Sequence, residues 1–558
     1  MLEVGEEKLK TLTMDHHGLV AAVCKDLKIA ERIDIRLGVD SQRIVSPGQA
    51  VVAMILNGLG FTNRRLYLTH QFFETKPIDR LLNGAIKAED LTDYTLGHTL
   101  DELWEYGSSK LFGEVAFEVA LENNLLSEQT HLDTTSLSVE GEYDVKEDPE
   151  VINITHGYSK DHRPDLKQMV LSLVVNGPSA MPIWMEPLDG NSSDKESFHE
   201  TIKKVEAFKK QIDVEKNFKW IADAAFYAED KLLSHNEYCW LTRVPETLTE
   251  SKRLLEKKDE EINWKEHAGG YKTASFFSNY GGVKQRWLLV FSQKAYDREK
   301  KTLEKGLEKK EVELKKALWH LENELFQCEQ DAKSALEILA KKYKLHVITG
   351  EIVPVLKHGK RGKPKPGEEK ILTGYKMIGN FERDVNGIER LQNKKGRFIL
   401  ATNDLNEATY PDECILQEYK DQQAVERGFR FIKDPWFMVD SIFLKSPKRI
   451  EALMMVMTLC LMVYNIAQYK LRNSLKEKDD TLPNQLGKGV KNPTLRWIFQ
   501  IMEGIGIVQF FEENICDPIK EVITNLNNLR KKIIHYFGQT ACIMYGLIQE
   551  NCSKGLGM

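Results

Sequence analysis

The sequence predicts an α/β protein whose core comes in two separated parts, with an inserted domain between them and helical regions at both ends. Three observations carry this reading. Strand-like stretches, a helix and a further strand follow one another within 130–245; a strand of the same buried character returns only at 396–404; and both ends place apolar residues at helical spacing. The chain then divides into 1–120, helical; 121–245, the first part of the core; 246–390, the insertion; 391–475, the second part of the core; and 476–558, a helical C-terminal region.

Taken in order, GQAVVAMILNGLGF (48–61) and DELWEYGSSKLFGEVAFEVAL (101–121) repeat apolar residues as a helix does. The Gly-rich break from Asn57 to Gly60 leads into the basic, aromatic TNRRLYLTHQFFE (62–74). That segment is either one element of a DNA-reading helical domain or part of a structural helix pair. THLDTTSLSV (130–139) alternates and is rich in β-branched residues, so it reads as a strand containing Asp133. KQMVLSLVVN (167–176) and MPIWMEPLDG (181–190) are the second and third strands, and DKESFHETIKKVEAFKKQ (194–211) is a helix. A buried strand in FKWIADAAF (218–226) ends in Asp223; after another helix comes the strand EYCWLTRVP (237–245).

Beyond 246 the order is interrupted. ASFFSNYGGVKQRWLLVFSQ (274–293) reads as β, and a long charged segment runs from Arg298 to Lys344. Within it Leu314, Leu318, Leu321, Leu325, Cys328, Ala332, Ala335 and Leu339 repeat in steps of four and three, a short heptad seam. Such a seam packs on its own domain or pairs with a second chain. The basic loop KHGKRGKPKPGEEK (357–370) follows, then the strand GRFILATND (396–404) and a helix over EYKDQQAVERGFRFIKDP (418–435). ALMMVMTLCLMVY (452–464), at 13 residues, is shorter than the roughly 20 that cross a bilayer and reads as a buried helix; LPNQLGKGVKNP (482–493) reads as a linker.

Composition narrows the class. With 42% hydrophobic and 29% charged residues the chain is an ordinary soluble one, and no membrane partner is expected. Its first residues, MLEVGEEKLKTLTM, lack the apolar stretch of a signal peptide. The eight cysteines are scattered without a CxxC pair, which disfavours a zinc site or a disulfide framework and suits a reducing cytoplasm. A net charge of −6 argues against coating nucleic acid by bulk charge. It leaves room for local basic surfaces such as NKKGR (393–397), LKSPKR (444–449) and RKK (530–532), each of which could equally be a solvated loop.

Three carboxylates stand out. A carboxylate in an apolar strand is costly unless paired or bound to a cation, and both Asp133 and Asp223 are so placed. On the helix over 418–435, at about 100° per residue, Tyr419, Gln422, Glu426, Arg430 and Lys433 share a narrow arc, with one acid among them. Singly, Asp133 could cap a turn, Asp223 could cap the helix after it, and Glu426 could form a surface ion pair. Together they form an oxygen-ligand set, without His or Cys, suited to Mg²⁺ or Mn²⁺. Two such ions, roughly 3.5–4 Å apart, serve in-line phosphodiester displacement.

The element order is that of the ribonuclease H-like fold, and at these residues the sequence resembles the bacterial insertion-sequence transposases of the DDE class. Within them it resembles the branch marked by the helix signature Tyr-x2-Arg-x3-Glu-x6-Lys, present here as Tyr419-x2-Gln422-x3-Glu426-x6-Lys433. HLDTTSLSVEGEY, HGYSKDHRPDLKQ, LDGNSSD, IADAAFY and PTLRWIFQIMEGI resemble the same branch. The resemblance implies that Asp133, Asp223 and Glu426 are the catalytic, metal-binding triad, served by Mg²⁺ or Mn²⁺ as two ions. It implies cleavage of double-stranded DNA at element ends, then joining of the freed 3′-hydroxyl to target DNA, by a homodimer or larger assembly in a bacterial cytoplasm, on the nucleoid. Tyr419, Gln422, Arg430 and Lys433 would meet DNA along the signature face, and Lys160 and Arg163 near the first acid. Gln422 departs from the signature arginine and removes one charge from that face. The alternatives are a nuclease of the same fold without strand transfer and a non-catalytic DNA-binding or dimerising protein.

Overall fold

A computed structural model describes residues 2–4, 7–61, 66–82, 84, 86–143, 151–358, 369–434, 444–512 and 518–548. The chain forms two compact units, Met1–Leu241 with Gln417–Met558, and Thr242–Leu416.

In the first unit the central strand is Gln129–Val139. On one side it pairs antiparallel with Lys167–Asn176, which pairs antiparallel with Met181–Leu188; on the other it pairs parallel with Lys219–Ala222, and Cys239–Arg243 follows, the strand in which the chain leaves the unit. The meander forms because the connection at 177–180 is a tight turn, with Gly177 and Ala180 both at positive φ. The parallel partner needs a crossover, supplied by the helix Asp194–Gln211. Two faces result. Ser172 and Thr201 meet at 3.2 Å under the crossover helix. On the opposite face Met169, Leu171, Leu173 and Val175 share one core with Val425, Phe429 and Ile432 and with the helix Pro447–Glu477.

That helix corrects the sequence reading of its length. It has 31 residues, long and apolar enough by length and composition to cross a bilayer, where the apolar run alone counts 13. Its apolar side chains lie inside the unit, with 83% of its most apolar window buried, as expected of a helix packed on all sides.

The termini are not only helical. Leu2–Val4, Glu7–Thr13, Gly506–Phe511 and Lys520–Thr524 form a four-stranded sheet, in which Thr13 faces Gly506. Two local hairpins, Leu2–Val4 with Glu7–Thr13 and Gly506–Phe511 with Lys520–Thr524, are joined by this pairing of segments about 490 residues apart, which no local pattern announces. Residues 482–493 likewise contain a small hairpin, Leu482–Pro483 with Gly489–Val490.

In the second unit Arg397–Thr402, Gln285–Ser292, Tyr271–Ser278 and Lys265–His267 form an antiparallel sheet. The heptad seam is two helices, Gln293–Asn323 and Glu329–Lys342, split where Leu325 and Cys328 stand exposed. Leu314, Leu318, Leu321 and Ala332 are buried with Phe326, Tyr343 and Met377 against the long hairpin His346–His358/Lys370–Arg383. The seam is therefore consumed within its own unit. The basic loop of the sequence reading falls mainly on 359–368, outside the described residues.

Candidate active site

Strand register brings the first two acids together. The parallel pairing sets Gln129 opposite Lys219, Thr130 opposite Trp220 and His131 opposite Ile221, a constant offset of 90 (219 − 129). Carried two residues further, the same offset sets Asp223 beside Asp133. The strand ends just before Asp223 because this residue turns the chain. Its carboxylate accepts from the Ala225 N–H at 2.8 Å and caps the short 3₁₀ turn Ala224–Phe226. Asp133 accepts from the Thr134 N–H at 2.7 Å. It lies directly across from Leu173, and directly opposed residues share a sheet face. Asp133 is thus on the face covered by the helix Gln423–Ile432, whose Gly428 packs against Leu173.

That helix carries Glu426, and its placement can be worked out from two anchors. Glu418, in the preceding helix Asp412–Asp421, accepts from Gln129 at 3.1 Å and Lys219 at 3.3 Å, which fixes it over the start of the paired strands. Gly428, two residues after Glu426, packs against Leu173, the residue opposite Asp133, so the helix bearing Glu426 covers the Asp133 face of the sheet. The helix is not continuous as the sequence suggests. It breaks at Gln422, where the Gln422 N–H bonds to the Tyr419 carbonyl and the Val425 N–H to the Gln422 carbonyl, while Gln422 keeps right-handed helical φ and ψ.

Electrostatics mark the pair. Burial, reinforced by the charges of Asp223 and Asp194, pushes the Asp133 carboxyl up to about 7, against the pull of Lys160 and the Thr134 N–H. Burial also raises Asp223, with Asp194 adding to the rise. Lys160 reaches in from the loop between the first two strands: its Nζ donates to the Thr134 carbonyl at 2.7 Å and to Thr134 Oγ1 at 3.0 Å, and it pairs with Asp194 at 3.0 Å. Asp194, at the start of the crossover helix, has no role in the sequence reading. The signal was present in LDGNSSD, where an acid follows the third strand, but only the fold shows that it faces Thr134.

The remaining expected residues separate into groups. Glu426 is exposed and makes no hydrogen bond or ion pair among the described residues, and the same holds for Arg430. Gln422 is buried at the helix break. Tyr419 is half-buried. Lys433 is paired with Asp161 at 2.7 Å, and Arg163 with Asp165 at 2.8 Å. Among the described residues no three His, Cys, Asp or Glu side chains converge closely enough to hold a metal ion. The donor chemistry still suits one. Burial raises both half-buried carboxylates, and a hard divalent cation would offset the negative charge they carry when ionised.

Comparison with known proteins defines the class. The family model described as "Transposase DDE domain" matches residues 128–465, more than half of the chain, and includes both aspartates and Glu426. The chain belongs to this family and is a transposase. A second family model, described as a domain of unknown function (DUF4277), matches residues 9–117. No curated protein matches the chain. Among solved structures, the cryo-EM structure of a piggyBac transposase synaptic complex with hairpin DNA is similar at 10% identity and a TM-score of 0.35, over 87% of this chain and 80% of that one.

Proposed function

We propose that this transposase cuts DNA at the ends of a bacterial insertion sequence by metal-dependent phosphodiester hydrolysis and joins the freed 3′-hydroxyl ends to target DNA. The observation that carries the reading is the register that sets Asp133 beside Asp223 under the helix bearing Glu426. Three antiparallel strands, a crossover helix and a parallel fourth strand support a ribonuclease H-like core, with Thr242–Leu416 as its insertion. Asp133, Asp223 and Glu426 are the residues to hold Mg²⁺ or Mn²⁺, as two ions. When bound, such ions activate the attacking oxygen and neutralise the leaving one.

The chain's own groups do the rest. Lys160 holds Asp194 and the backbone beside Asp133, which fixes the strand while charge changes at the acids. Arg430 and Lys433 lie on the arc of Glu426 and suit phosphate oxygens, with Lys433 exchanging Asp161 for DNA; Tyr419 and Arg163 border the same path. Bringing two ends together calls for a dimer or larger assembly on double-stranded DNA. This work belongs on the nucleoid, in the cytoplasm.

Cleavage of a supercoiled plasmid carrying the element's ends, with Mg²⁺ or Mn²⁺, tests the assignment. Wild type should release the element, while Glu426→Gln should bind the ends and leave them uncut. Equal cutting by both would remove Glu426 from the site.

A further inference from the structure

On the first unit a cavity of about 730 Å³ lies between the helix Gln423–Ile432, the C-terminal half of Pro447–Glu477 and the segment 492–496. The helix bearing Glu426 contributes Ala424, Arg427, Gly428, Arg430 and Phe431 to its wall. At about 100° per residue, these centre roughly 130° away from Glu426, so the cavity lies mainly on the other flank of the helix, with Arg430 at its edge towards Glu426.

Its lining is unusual in charge. Arg427, Arg430, Arg472, Lys476 and Arg496 are set against one carboxylate, Asp434, which already pairs with Arg496 at 2.7 Å. Arg427 and Lys476 are exposed and have no partner among the described residues. Arg472 is half-buried and spends its Nε on the Pro493 carbonyl at 2.9 Å. Burial and the nearby Arg427 charge both disfavour its cationic form. Like charges collected in a partly desolvated place, without a free carboxylate, are stabilised by an incoming anion.

The rest of the wall decides the kind of anion. Phe431 and Tyr464 lie 4.6 Å apart, and Phe61 and Tyr469 complete an aromatic side. A simple inorganic anion needs only the cations. Cations beside aromatic faces are the combination that holds a phosphate together with a stacked base. The volume falls within the roughly 300–1,000 Å³ of small-ligand sites.

We propose that this cavity is a second DNA site, which holds one nucleotide of a single strand with its phosphate on Arg427 and Arg472 and its base against the aromatic side. The proposal rests on the reading that the protein acts on DNA, and adds a site on the flank away from the acids. It keeps a strand engaged from behind the helix that carries Glu426.

The test uses full-length protein in EDTA, so that binding is separated from chemistry. Anisotropy of a fluorescent 12-nucleotide single strand is followed from 50 to 200 mM NaCl for wild type, Arg427→Gln, Lys476→Gln and Tyr469→Ala. Losing one phosphate contact should lower the log–log salt slope by about 0.7. Arg427→Gln should weaken binding about fivefold to tenfold with that change in slope, and Tyr469→Ala should weaken it about tenfold with the slope unchanged. Thymidine monophosphate should displace the strand at concentrations where inorganic phosphate does not. Unchanged affinity and slope in properly folded Arg427→Gln and Tyr469→Ala would overturn the proposal, as would equal displacement by inorganic phosphate, which marks a simple anion site. Metal-dependent cleavage by the same wild-type preparation distinguishes the two readings. Its absence counts against the transposition chemistry, whereas undiminished strand binding by both variants counts only against this cavity.

Discussion

The seat of the helix Gln423–Ile432, which bears Glu426, can be tested at one residue, Gly428. A Cβ added there would come to 3.1 Å from Leu461 Cδ2 and 3.6 Å from Leu173 Cδ2. The closer neighbour is the tip of a flexible side chain, so Gly428→Ala asks it to yield a few tenths of an ångström and returns about 1 kcal/mol of helix propensity. Gly428→Leu adds three further carbons where Leu173 and Leu461 already fill the space. Overpacking of this kind costs about 1–3 kcal/mol, and the softer response is for the helix to lift from the sheet. A shift of about 1 Å at a catalytic group costs on the order of 100-fold in rate. Plasmid cleavage and thermal melting, run together, read both effects. Gly428→Ala should cleave within about threefold of wild type, a change under 1 kcal/mol in barrier. Gly428→Leu should fall about 100-fold in cleavage while losing only a few degrees of melting temperature. If Gly428→Leu cuts at the wild-type rate, the helix does not position Glu426 against Asp133, and the geometric case for the third acid fails.

Three further outcomes follow from the same geometry. Because the Asp133 carboxyl is raised to about 7, its ionisation is disfavoured in the folded state; the stability it contributes is complete below about pH 4 and is lost as pH climbs to 7. Metal-free wild type should therefore lose melting temperature across that window relative to Asp133→Asn, and Mn²⁺ should stabilise wild type increasingly towards and above pH 7; parallel pH curves for the two proteins would contradict this. Gly190 sits so close to the backbone that a Cβ would lie 2.0 Å from the Gln168 carbonyl oxygen and 2.6 Å from that of Thr155. Gly190→Ala should cost on the order of 3 kcal/mol, read as a lower urea midpoint, and an unmoved midpoint would show that the loop holding Lys160 is not clamped there. Leu318→Ala should cost about 2–4 kcal/mol of second-unit stability and leave the mass by light scattering unchanged; a change of oligomeric state without loss of stability would mean that the seam joins chains.

What the sequence made legible was whatever is decided locally. The strand over 130–139 and the helix over 194–211 are found as Gln129–Val139 and Asp194–Gln211, because β-branched alternation and a continuous 3.6-residue repeat each act within a few neighbours. The strand around Asp223 is shorter than its apolar run, Lys219–Ala222, since the carboxylate prefers to cap the turn after it. Non-local choices stayed hidden. Heptad counting passes straight through Leu325 and Cys328, although the chain breaks there to fold two helices onto a hairpin. The cavity cations stand at 427, 472 and 496, and no spacing rule connects them. At the candidate site Asp133 and Asp223 were legible as misfits in apolar surroundings, whereas Asp194 was not, because an acid at a helix start looks ordinary in sequence.

Asp194 changes how the site balances its charge. Asp133, Asp223 and Asp194 against Lys160 leave an excess of two negative charges (3 − 1), which equals the charge of one divalent cation. Lys160 cannot make up the difference alone, because Thr134 and Asp194 tie its ammonium down on their side of the strand. A proton on Asp133, which is what its raised pKa expresses, offsets half of that excess; a divalent cation bound there would offset all of it and would displace the proton. Glu426, exposed on the covering helix and without a hydrogen bond or ion pair among the described residues, would be free to add a ligand to such a cation.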